Sequence, residues 1–415
     1  MRPHLRLAAI LAAGLVSVAV RASAVPPVFL IHDGDTVMFV GDSVTEHGAY
    51  LDDIAMYFTV RWPGWRVELL DRGRFGERAV DGLQRLQRDV IAVKPQMAVL
   101  LFGVNDGRYQ ALKPEFLAAF VNAERQMVAR LKAAGIAVAL ATPTLIDPDQ
   151  LQGYHGDAAE YIEVLGRYAQ AVMDIGHELA VPVLDVYGAL RSAQQQAKAA
   201  LPNFTMFPAG VHPSAAGHLV IAARMLRDLG APPMTSDLTI DAATVTVASA
   251  AGCSVRELRT RDGALSFVRA DALGWWYIDP AARAILPYAP DVRELNAVWL
   301  RVRELTAGSY RVRVDGQPIE EEFSAAQLAE GLYVPSAAPP LWPPHLAELT
   351  QRIATRQQML RLQWDPLQAT LPDGPERTAI LAQMTQLNTR LRSELVTLTP
   401  PQPARWEIIP QRREH

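Results

Sequence analysis

The chain has a single cysteine, Cys253, in 415 residues, so no disulfide can form within it. That excludes a small fold stapled by disulfides. A chain this long does not need them, since it can bury one large core or several smaller ones. Cys253 has no Cys or His at ligand spacing and reads as a packing residue, not a metal ligand. Basic charge is not in surplus: 40 Lys and Arg face 44 Asp and Glu, a formal net charge of −4. With no basic patch, nucleic acid is not an expected partner. Beyond Ala24 no apolar run is long enough to span a bilayer. There is also no glycine-rich phosphate loop and no cluster of His, Asp and Glu at metal-ligand spacing, so neither cofactor nor metal is expected.

What the chain does have begins at its amino terminus. Arg2 and Arg6 precede an apolar stretch from Leu7 to Val20, and Ala22-Ser23-Ala24 has the small-x-small form of a cleavage site. Residues 1–24 therefore read as a secretory signal, which makes the expected location periplasmic or secreted.

Residues 27–232 alternate short apolar runs with amphipathic stretches. The strand candidates are Thr36–Val40, Val67–Leu70, Met97–Phe102, Ile136–Ala141 and Val181–Val186. The helix candidates between them include Phe116–Leu131 and Tyr161–Leu179. Such alternation predicts an α/β fold, with a parallel sheet and helices on both faces. After Gly230-Ala231-Pro232-Pro233 the pattern changes to β alternation, as in Val298–Val302 and Tyr310–Val314, with a turn at Asp315-Gly316. Residues 237–334 thus read as a small β-rich unit. A proline-rich joint from Ala338 to Pro344 leads into an antiparallel helical hairpin at 344–397, with apolar positions three and four apart. Residues 398–415 read as an irregular tail.

Three short blocks carry chemistry. Gly41-Asp42-Ser43 follows the first apolar run, which puts Ser43 at the carboxyl end of a strand, where α/β folds hold reacting groups. Gly103-Val104-Asn105-Asp106 follows a second run, and Val211-His212-Pro213 precedes a helix. Taken singly, these are a helix cap, an Asx-turn and a surface histidine. Taken in order, they supply a nucleophile, an amide donor and a base, the minimum for serine-dependent acyl transfer. His47, His155 and His218 read as structural, and Trp275-Trp276-Tyr277 as core of the β unit rather than a sugar-stacking platform.

These blocks, with Gly76 between the first two, resemble the SGNH (GDSL-type) hydrolases over roughly residues 30–230, and the whole layout is similar to exported bacterial members with a C-terminal extension. The resemblance implies a three-layer, flavodoxin-like domain. It implies Ser43 as nucleophile and His212 as base. It also implies an oxyanion hole formed by the Ser43 N–H, the Gly76 N–H and the Asn105 amide, with Gly73 as the competing glycine and Asp106 as support. Relatives often have Asn where Asp71 stands.

The main departure is at position 209, where the family usually has an aspartate that orients the histidine and this chain has Ala209. Three arrangements are compatible with an alanine there. A Ser–His dyad can work with a backbone carbonyl orienting the ring. Another acid, Asp185, Asp147 or Asp157, can take the role. Or the domain binds without cleaving. The expected substrate is a small acyl ester, acetyl on a carbohydrate first among them. The alternative is a carbohydrate-binding or envelope assembly protein.

Overall fold

The computed structural model describes residues 28–151, 158–337, 344–364, 371–398 and 402–411. The segment read as a signal, most of the proline-rich joint, His155 and Asp157 lie outside the described residues.

The first five strands are β1 (Thr36–Gly41), β2 (Glu68–Gly73), β3 (Met97–Leu101), β4 (Ala137–Ala141) and β5 (Val183–Leu184). They form one parallel sheet in the order β2-β1-β3-β4-β5, the flavodoxin-like arrangement. β1 lies inside this sheet, so it must be apolar on both faces. Val37, Met38, Phe39 and Val40 are accordingly all buried. The last strand is shorter than its apolar run because Asp185 leaves the sheet to cap the next helix, accepting from the Gly188 N–H at 3.0 Å.

The helices of this region are α1 (Ser43–His47), α2 (Ala49–Arg61), α3 (Ala79–Leu86), α4 (Pro114–Ala133), α5 (Ala158–Leu179), α6 (Val186–Ala200) and α7 (Ala215–Asp228). α3, α4 and α5 pack in succession, as do α2, α7 and α6, which makes two helical layers around the sheet. α4 shows the physical reason. Phe120, Met127, Val128 and Leu131 share one face and are buried, while the opposite face is charged.

The remaining strands form a sandwich of two sheets. They are β6 (Thr235–Asp241), β7 (Thr246–Ala251), β8 (Cys253–Arg261), β9 (Ala264–Asp271), β10 (Ala297–Arg303), β11 (Ser309–Val314), β12 (Gln317–Ser324), β13 (Leu332–Tyr333) and β14 (Ala404–Pro410). One sheet runs β13-β10-β6-β7 and the other β12-β11-β14-β9-β8. Alternate residues such as Val298, Leu300 and Val302 meet Tyr310, Val312 and Val314 in a shared core.

Two expectations are corrected here. The tail read as irregular contains β14, which fills the middle of the second sheet between β11 and β9 and buries Trp406 and Ile408 completely. Its prolines flank the alternation without interrupting it. The Trp275–Tyr277 cluster is core, but Trp276 belongs to the α/β layer. Its indole N–H donates to the Asp53 carbonyl of α2 at 2.9 Å and its ring meets Tyr57 edge-on. Ile285, Leu286, Val292 and Leu295, from a 3₁₀ segment (Pro280–Tyr288) and α8 (Pro290–Leu295), join that same core.

A short helix, α9 (Ala325–Glu330), follows β12. The hairpin is α10 (Pro344–Trp364) and α11 (Pro375–Leu398), and α10 packs against α2 and β2. Among the described residues, no helix is long and apolar enough to cross a membrane.

Candidate active site

β1 ends in the interior of the sheet, and the chain turns at once into α1. Asp42 caps that helix, its Oδ1 accepting the Val44 N–H at 2.9 Å. Burial, with the charge of Asp106 adding to it, raises the Asp42 pKa to about 7, against the pull of the Val44 hydrogen bond. Ser43 is the first residue of the helix, so its N–H belongs to the turn that has no intrahelical acceptor.

His212 lies 169 residues along the chain, on the loop before α7. The loop is pinned on both sides: the Gly210 carbonyl accepts from the Asp147 N–H at 2.8 Å, and the Ser214 N–H donates to the Met206 carbonyl at 2.7 Å. This brings His212 Nε2 to 3.0 Å from Ser43 Oγ, within reach for general-base catalysis. Burial, then the neighbouring His47, hold the His212 pKa below its ordinary value, which keeps the ring neutral and able to accept a proton.

His47, read as structural, is exposed and stacked on His212, with ring centroids 4.9 Å apart. The signal for this is its spacing. His47 is four residues after Ser43, so both fall on one face of a helix that begins at Ser43. His218 is the structural histidine, buried against Tyr50, with its pKa lowered to about 3 chiefly by burial.

The two competing glycines now separate. A Cβ at Gly73 would collide with the Glu46 backbone of α1, so glycine is needed there for close packing. Gly76 has φ +71° and open space where a Cβ would be. Among the described residues neither the Ser43 nor the Gly76 N–H has a hydrogen-bond partner. Asn105 is locked at both ends of its amide. Oδ1 accepts from the Tyr109 hydroxyl at 2.7 Å, and one Nδ2 hydrogen goes to the Glu77 carbonyl at 3.0 Å, leaving the second to donate elsewhere. Asp106 ties the two loops together through the Ala79 and Gly103 N–H groups, both at 3.0 Å.

Ala209 is exposed, and the two described alternative acids, Asp185 and Asp147, are occupied elsewhere. Asp185 caps α6. Asp147 is buried among Gln194, Lys198 and Thr205. Among the described residues no carboxylate is hydrogen-bonded to His212. The arrangement is therefore a Ser–His pair with its ring plane bordered by His47 and, at 6.2 Å, by the exposed Phe75.

Comparison with known proteins adds to this geometry. The profile of the GDSL-like lipase/acylhydrolase family matches residues 39–220. The chain is 23% identical over 226 residues to an acetylxylan esterase of Geobacillus stearothermophilus, a span that covers 48% of this chain and 96% of that protein. The crystal structure of that esterase matches the same shares of the two chains with a TM-score of 0.39. The structure of a gut microbial diltiazem-metabolizing enzyme matches 92% of this chain and 98% of its own, at 19% identity and a TM-score of 0.74. At that coverage the shared fold extends past the α/β layer into the carboxyl-terminal half.

Proposed function

We propose, from a chain whose residues 39–220 form a domain of the GDSL-like lipase/acylhydrolase (SGNH) family, that this protein is an exported serine esterase that removes small acyl groups, acetyl foremost, from carbohydrate. The observation that carries the reading is the 3.0 Å contact between Ser43 Oγ and His212 Nε2. Ser43 Oγ attacks the ester carbonyl while its proton passes to His212 Nε2. The carbonyl oxygen takes the negative charge and is held by the N–H groups of Ser43 and Gly76 and the free Nδ2 hydrogen of Asn105. Collapse expels the sugar alkoxide, which takes the proton from His212. Water then attacks the acyl-serine with His212 again as base, releasing the acid and restoring Ser43. The acetyl preference is supported by the acetylxylan esterase relative, and the export by the signal-like residues 1–24.

One observation favours a second reading, a carbohydrate-binding protein of the same fold: among the described residues no carboxylate is hydrogen-bonded to His212. A single experiment separates the two. The full-length protein without residues 1–24 is incubated with acetylated xylooligosaccharides and, separately, with an octanoate ester. Acetate release with kcat/KM at least about tenfold above the octanoate value supports the esterase. Saturable oligosaccharide binding with no acetate released supports the binder.

A further inference from the structure

β2 is the edge strand of the parallel sheet, and an exposed edge of this kind is ordinarily covered. α10 covers it and contacts it residue by residue. The Arg356 guanidinium meets the Glu68 carboxylate at 2.6 Å, and Arg392 of α11 reaches the same carboxylate at 2.8 Å. Arg361 pairs with Asp71 at 2.7 Å. The guanidinium groups of Arg72 and Arg74 lie over the Trp364 ring, at 4.3 and 5.2 Å from its centroid. A helix more than 280 residues away in sequence is thus matched to one strand along its whole length.

The Arg361 pair has a special place. Asp71 is buried, and its two oxygens do different work. Oδ1 accepts the Gly73 N–H at 2.7 Å and shapes the exit of β2, while Oδ2 faces Arg361. From that exit the chain runs past Arg74, whose N–H donates to the Gly41 carbonyl at 3.1 Å, to Phe75 and Gly76. The Arg361 guanidinium also lies against Gly48, at the end of the helix that begins with Ser43, and lines the open cleft with His47 and Phe75. One side chain from the hairpin therefore touches both the Ser43 helix and the strand end that leads to Gly76. Arg361 is the cation that faces the buried Asp71 carboxylate.

We propose that Arg361 is a positioning residue, a cation delivered by the C-terminal hairpin that fixes the oxyanion loop through Asp71. Without it, a buried carboxylate has lost its counter-ion and must either take up a proton or move toward water, and either change disturbs the turn it shapes. The hairpin is then part of the catalytic unit and not an appendage. This rests on the esterase reading given above.

The test uses the full chain without residues 1–24, with Arg361→Ala, Arg361→Lys and the double variant Arg361→Ala/Asp71→Asn. An amide at position 71 still accepts from the Gly73 N–H and needs no counter-ion. Oxyanion donors act in the transition state, so the expected result for Arg361→Ala is about a tenfold fall in kcat on 4-nitrophenyl acetate with KM changed less than about threefold. The double variant should recover to within about threefold of wild type, and Arg361→Lys should lie between. Amide hydrogen exchange in peptides covering Asp71–Gly76 should speed up in Arg361→Ala and slow again in the double variant. Unchanged kcat and exchange in Arg361→Ala would overturn the proposal. So would a raised KM at constant kcat, which makes Arg361 a substrate contact, or a double variant no better than the single. If wild type turns over no ester, the esterase reading fails by itself, and the exchange arm still decides whether Arg361 fixes this loop.

Discussion

At the scale of single residues, His212 has a serine on one nitrogen and, among the described residues, no acid hydrogen-bonded to the other. A triad carboxylate would raise the basicity of the ring, whereas here burial and His47 lower it. The base must be neutral to work, so activity is lost as pH falls through its pKa. The acidic limb of the kcat/KM profile for a neutral ester is therefore expected below pH 6.5, the ordinary histidine value. His47→Gln removes a neighbouring positive charge, and Ala209→Asp supplies an acceptor. Both should move the limb to higher pH, and Ala209→Asp should also raise kcat by about tenfold or more. A limb that stays in place in both variants contradicts this account of the base. Ser43, Asn105 and His212 are candidates in the sequence because each stands in a short block beside a strand or helix end, whereas Gly76 is a candidate only through the family resemblance. The spacing of His47 from Ser43 places both on one helix face, but its stacking on His212 is not legible, because that ring comes from the distant loop before α7.

At the scale of elements, the parallel strands are visible in sequence because burial on both faces demands continuous apolar runs, as in Val37–Val40. β14 is not visible in the same way. It is a short alternation among prolines, and its partners β11 and β9 are roughly a hundred residues or more away. Its position makes it a keystone, because without it β11 and β9 have no hydrogen-bonded neighbour on that side. Trp406→Ala should lower the unfolding free energy of the sandwich by about 3–5 kcal/mol in denaturant titration, and Glu407→Ala, on the same strand but only half-buried, by about 1 kcal/mol or less. Equal small effects from both would mean that β14 is not integral to the sheet.

At the scale of the whole molecule, three parts share buried surface. The segment through Trp276 and α8 joins the core of the α/β layer, with Arg61 of α2 donating to the Leu295 carbonyl at 2.7 Å and to Asn296 at 3.2 Å. The hairpin lies along β2. The order of the parts can be read from composition shifts at Pro232-Pro233 and at the proline-rich joint, but their docking cannot: besides apolar side chains that join the α/β core, such as Trp276 and Leu349, it uses lone arginines such as Arg61, Arg356 and Arg361. In sequence these look like any solvated charge, and only the carbonyl or carboxylate opposite each gives it a purpose. The account stands or falls on the site at the end of β1. The most direct measurement is hydrolysis of 4-nitrophenyl acetate by the protein without residues 1–24, beside Ser43→Ala and His212→Ala. The account predicts turnover in wild type and a fall of about a thousandfold or more in each variant. Equal rates in wild type and Ser43→Ala would contradict it.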